Sequence, residues 1–287
     1  MKILLSLLLT FYCTFTFSQN NPDVFLFDLV HAYEGLELLN MQNISNDTGY
    51  DNQPSFTDNN TILFAGNNEG QTDIATYNTN SQLRTWVNAE TVGGEYSPQQ
   101  IPNSTNLAAV RLDPDGKQRL YSYSPSGNPS ELIENIQVAY FSFYNKSTIL
   151  ATVLNGSEMD LTLINLSEKS VDTLLHNAGR ALQKIPNTKA MSYTMLNEEG
   201  NHDLYILEMN SVESFFVCEL PIGIQDCVWI NDTQIVLGSG NKLYLYDTLG
   251  EGEWNRVANL EGHGISNITR LAISPNGKQL AVVAESK

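Results

Sequence analysis

Fourteen polar residues fall in six groups at a nearly fixed interval along this chain, each group placed a few residues before an apolar reference position. The reference positions are Phe56, Ile101, Phe143, Ile185, Trp229 and Ile273, separated by 45, 42, 42, 44 and 44 residues. The groups are Tyr50, Asp51 and Gln53; Glu95, Tyr96 and Gln99; Gln137 and Tyr140; Arg180 and Gln183; Gln225 and Asp226; Asn267 and Arg270. Brought together in space, they form a ring of phenols, carboxylates, amides and two guanidiniums. Such a ring can serve as a polar pocket for a ligand. Its oxygen donors, Asp51, Glu95, Asp226 and Asn267, are also of the type that holds calcium. Arg180 and Arg270 argue against a metal, because they already neutralise part of that negative charge.

Other constellations carry less. Asp113-Pro114-Asp115-Gly116 and Glu198-Glu199-Gly200-Asn201 lack the twelve-residue ligand spacing of an EF-hand and read as turns, which Asp, Asn and Gly favour for backbone reasons. His31, His176, His202 and His263 show no zinc-type spacing. No Gly-x-Ser-x-Gly elbow occurs, and Gly93-Gly94 and Gly238-Ser239-Gly240 are too short for a phosphate loop. No catalytic residue and no metal ligand is assigned from the sequence.

The elements that must position the ring follow from the same period. Each unit opens with a short apolar strand ending at the reference residue, as in Gln53–Phe56 and Arg270–Ile273. A polar turn, a second apolar run, a third strand opening on a polar residue and a less regular outer strand follow. Four-stranded units repeating every 40–45 residues predict an all-β, six-bladed β-propeller. Expected blades span about 49–94, 95–135, 136–177, 178–221, 222–262, and a last one combining 263–287 with 22–45. In that last blade Asp23–Asp28 has the form of a third strand and Leu36–Ile44 supplies the outer one. Strands from both chain ends thus close the ring and leave no lateral edge.

Residues 1–18 read as a secretory signal peptide: Lys2, a largely apolar stretch from Ile3 to Phe17, then a polar switch at Gln19-Asn20. Residues 19–287 are then expected to be one propeller domain, exported to the periplasm or cell surface, monomeric and not inserted in a membrane. The formal charge is −17, or −18 without Lys2, which opposes binding to nucleic acid. Cys218 and Cys227 fall on strands too far apart for a disulfide, whose Cα atoms must lie within about 7 Å, so both are expected as buried thiols.

The run Gly49-Tyr50-Asp51-Asn52-Gln53-Pro54-Ser55-Phe56, followed by Thr61–Gly66 and Asp73–Tyr77, resembles the PD40 (WD40-like) repeat of TolB-like propellers. Leu112–Lys117 and Ile273–Leu280 resemble its Ser-Pro-Asp-Gly-Lys hairpin. An Asn-rich chain with a leader ending Phe-Ser-Gln is also similar in style to exported proteins of Bacteroidetes. The resemblance implies a periplasmic or surface propeller that binds a protein, peptide or other ligand, a glycan included. It leaves no room for the N-terminal α/β domain of TolB or for a peptidase domain. The expected function is therefore non-enzymatic binding at the channel mouth, by Tyr50, Asp51, Gln53, Glu95, Tyr96, Tyr140, Arg180, Asp226, Asn267 and Arg270. The alternative is a calcium-dependent propeller hydrolase or lactonase; on the leading reading no cofactor is needed.

Overall fold

The computed structural model describes residues 21–32, 35–87 and 91–286. The expected leader, residues 1–18, lies outside the described residues. The strands assemble into six four-stranded antiparallel sheets, the blades of a propeller. Blades I to V each take four consecutive strands, beginning with the inner strands Asn52–Phe56, Gly94–Gln100, Val138–Phe143, Ala178–Lys184 and Val228–Trp229. Blade VI combines Ile265–Ile273 and Gln279–Ser286 with Pro22–Ala32 and Gly35–Asn43. Its seam pairs Asp23 with Ala284, Phe25 with Val282 and Phe27 with Leu280. The closure expected from the repeat is present.

The apolar alternation explains why the blades stack. Six buried clusters lie one at each blade-to-blade interface. Phe25, Phe27 and Leu29 pack towards Val228, Val236 and Leu243 of blade V. Their neighbours Val24 and Leu26 face the other way, onto Ile62 and Phe64 of blade I. A strand buried on both faces is largely apolar along its length, and the middle strands read that way, with small hydroxyls such as Thr152 and Ser192 the exceptions. Burying such side chains contributes roughly 1.5–3 kcal/mol each.

The polar residue opening the third strand acts as a clasp for the hairpin before it. Asn68, Asn155 and Asn197 donate side-chain amides to Asp73, Asp160 and Asp203 at 2.7–3.0 Å. Asp113-Pro114-Asp115-Gly116 is a turn, with Gly116 at φ +80° and Arg119 bonded to both aspartates. Cys218 and Cys227 are free and buried in the blade IV–V cluster. Burial pushes the Cys218 thiol up to about 12 and that of Cys227 well above its usual value.

Phe27 is fully buried at the seam. Phe27→Ala is expected to cost about 3–5 kcal/mol, read as a lowered denaturant midpoint, because it opens a cavity where nothing can collapse. Leu39→Ala, at an exposed position of the outer strand, serves as the near-neutral control.

Candidate functional site

Five of the six inner strands break register where the candidate residues stand. The shifts fall between Asn52 and Ser55, Tyr96 and Gln99, Val138 and Tyr140, Ala178 and Leu182, and Ser266 and Arg270. The sixth inner strand is only Val228–Trp229. Bulges re-aim side chains that a regular pleat would send to the neighbouring blade. Gln53, Ser97 and Asn267 sit in these breaks at φ +55°, +51° and +47°, a conformation that non-glycine residues adopt only when the surroundings hold them there.

The re-aimed groups meet in one charged layer. Asp226 Oδ2 lies 2.9 Å from an Arg270 terminal nitrogen and 3.3 Å from Arg180 Nε. Arg180 also donates to the carbonyl of Thr269 at 3.2 Å. The Arg270 guanidinium stands 5.5 Å from the centre of the Tyr140 ring, and the Tyr50 and Tyr96 rings meet edge to face at 6.1 Å. Burial raises the Tyr50 phenol against the opposing pull of Arg270. Burial also pushes the Asp226 carboxyl up, while Arg270 and Arg180 draw it down. The Arg180 guanidinium is lowered by burial and by the like charge of Arg270. Both guanidiniums depend on the single carboxylate between them.

Below this layer is a cavity of about 340 Å³ whose walls include Gln53, Gln99, Tyr140, Arg180, Asp226 and Arg270. Its glutamines are tied to the next blade. Gln53 accepts from the Ser97 amide at 2.7 Å, and Gln99 donates to the Phe141 carbonyl at 2.7 Å. Gln183 donates to the Cys227 carbonyl and accepts from the Trp229 amide. These amides stitch successive inner strands as well as polarise the wall.

Asp51 and Glu95 lie elsewhere. Both are fully buried and neither lines the cavity. Asp51 accepts from the Asn67 amide at 3.2 Å, while its second oxygen has no hydrogen-bond partner. Burial raises its pKa to about 6. Glu95 accepts from Tyr123 at 3.0 Å and Thr91 at 2.6 Å. Asn267 donates to Glu285 at 2.8 Å. The four oxygen donors considered for calcium are thus spread over several separate surroundings, and no three acidic, His or Cys side chains gather as a metal site among the described residues. His176 pairs with Asp160 at 2.7 Å, and this carboxylate raises its pKa.

The cavity also takes in residues that the repeat alone did not single out: Ser55, Pro98, Ser142 and Lys184. Ser142 stands two positions beyond Tyr140 on the regular part of its strand, so period-2 alternation is the signal that finds it.

Among solved structures, the chain is similar to a putative TolB from Agrobacterium tumefaciens. The TM-score is 0.66 at 11% identity, covering 94% of this chain and 99% of that one. It is similar also to TolB from Acinetobacter baumannii, with a TM-score of 0.60 at 11% identity over 92% of this chain. The match spans 64% of the A. baumannii chain. In fold the chain is TolB-like. A chain of a nidogen/laminin complex is a further match, with a TM-score of 0.60 at 8% identity over 88% of this chain and 97% of that one. At such identities the likeness is one of fold. No protein-family model and no curated protein sequence matches the chain.

Two consequences can be measured. Asp226→Asn leaves two half-buried guanidiniums without the carboxylate between them and is expected to cost about 1–3 kcal/mol of stability. Adding Arg270→Gln to it should recover part of that loss in thermal unfolding. Asp51 holds its proton more tightly folded than unfolded, so its favourable contribution is full below the unfolded value and is lost as pH rises through about 6. Relative to wild type, Asp51→Asn should therefore gain stability between pH 4 and 7, by up to about 3 kcal/mol in chemical denaturation.

Proposed function

We propose that the chain is an exported, TolB-like propeller whose central channel binds a protein or peptide partner without catalysing a reaction. The supporting observation is convergence. Tyr50, Tyr96, Tyr140, Arg180, Asp226 and Arg270 come one from each blade and interact in a single layer across the channel. Aromatic rings and arginines are the side chains that most often anchor partners. Gln53 and Asn267 hold the surrounding bulges.

On this reading residues 1–18 are a cleaved leader and residues 19–287 a single domain of PD40-type repeats, in the style of Bacteroidetes proteins. The protein works as a monomer in the periplasm or at the cell surface. The leader-like stretch supports export, and no helix among the described residues is long and apolar enough to cross a membrane. The net charge of −17 supports a protein or neutral glycan partner over nucleic acid.

Affinity capture from the periplasmic and surface fractions tests the reading. The wild type should retain a partner that Arg270→Ala and Tyr140→Ala lose by about tenfold or more, as expected for a truncated anchor. Circular dichroism and thermal unfolding show that each variant is folded. Equal capture by both folded variants overturns a channel site.

A further inference from the structure

The cavity is asymmetric in a way the ring of mouth residues does not suggest. Its wall ends, on the side where the chain enters the inner strands, at Tyr140, Arg180, Asp226 and Arg270; Tyr50 and Tyr96 are not part of it. At the other end it shares Phe56, Lys184, Pro186 and Ile273 with a much larger hollow of about 1310 Å³. That vestibule is formed on the opposite face by the turns after the inner strands, among them Asn59, Asn187, Asn231 and Asn276. The cavity is therefore a cup, open to the vestibule and floored by the charged layer.

The cup is also the wrong sign for this protein. Its walls hold Arg180, Arg270 and Lys184 against one acid, Asp226, in a chain of net charge −17. Arg180 Nε is buried, and although 3.3 Å from Asp226 Oδ2 it lacks the alignment of a hydrogen bond. The two guanidiniums crowd one carboxylate oxygen. Arg180 and Arg270 are only partly exposed, and positive charge that outnumbers its carboxylates in such a setting favours an incoming anion. Guanidinium forks pair with planar carboxylates through two parallel hydrogen bonds.

We propose that the cup takes the free carboxylate end of a peptide, entering from the Asn-lined vestibule and ending against Arg270 and Arg180. This rests on the channel-binding reading above and adds to it the recognised group and the entrance. The amide and hydroxyl wall of Gln99, Ser55 and Ser142 suits a peptide main chain, and Lys184 at the threshold draws the anion in.

The test uses the full chain and acetyl-triglycine as the free acid, its C-terminal amide, and glucuronate. Arginine side-chain Nε resonances are followed in NMR titrations. The acid should shift the Arg180 and Arg270 signals saturably and the amide should not. Arg270→Gln should weaken acid binding about tenfold or more, the scale of a charged hydrogen bond. A polyethylene glycol chain on Asn276→Cys, at the vestibule, should abolish the shift; the same label on Ile222→Cys, exposed on the opposite face, should leave it intact. Equal responses to acid and amide overturn the carboxylate assignment, and glucuronate binding without peptide binding overturns the peptide. The reverse outcome of the two labels overturns the entrance. If instead partner capture ignores Arg270, the channel-binding reading itself fails; if capture depends on Arg270 while acid and amide behave alike, only this inference does.

Discussion

Everything in this molecule depends on the antiparallel pairing of Pro22–Ala32 with Gln279–Ser286. Each blade buries both faces, so no blade has a complete core of its own. Five blades in an open row would leave the Ile62 and Phe64 side of blade I and the Val236 and Leu243 side of blade V in water. Blade VI covers both surfaces at once, and it exists only when the two ends of the described chain meet. Joining them closes a loop of more than 250 residues, whose entropic cost grows only slowly with length. The return is two complete interfaces and a ring without lateral edges.

Closure also creates the site. Arg180, Asp226 and Arg270 belong to blades IV, V and VI, and Tyr140 and Tyr50 to blades III and I. Their mutual distances have no meaning until the ring is shut. The bulges then turn these groups inward, at the cost of unusual backbone conformations at Gln53, Ser97 and Asn267. The inter-blade hydrogen bonds of Gln53, Gln99 and Gln183 hold that arrangement in place. The charged layer and a structural seam are thus built from the same residues, so a rigid scaffold fixes these side chains and leaves them little freedom to lose.

Much of this was legible in the residues. The repeat interval, the apolar alternation and the turn chemistry all agree, and agreement across levels is what makes a fold readable. The candidate ring was legible because every blade draws its channel group from the segment three to six residues before its reference residue. The division of that ring was not. Asp51 and Glu95 occupy the positions of channel residues in the alignment of repeats, yet lie fully buried within their blades. A bulge that adds or removes one residue flips a side chain to the other face, and no period-2 pattern records it.

The sequence by itself determined the blade number, the closing strands, the buried thiols and the segments from which the channel groups are drawn. These follow from local periodicity, which each segment carries without reference to the rest. Only the tertiary structure decided which of those side chains touch, that two arginines must share Asp226, and that the cavity opens towards the vestibule and stops at the charged layer. Those facts depend on distances across the channel between residues far apart in the chain, such as Tyr140 and Arg270, 130 positions apart. Such distances are set by how six twisted sheets pack around one axis.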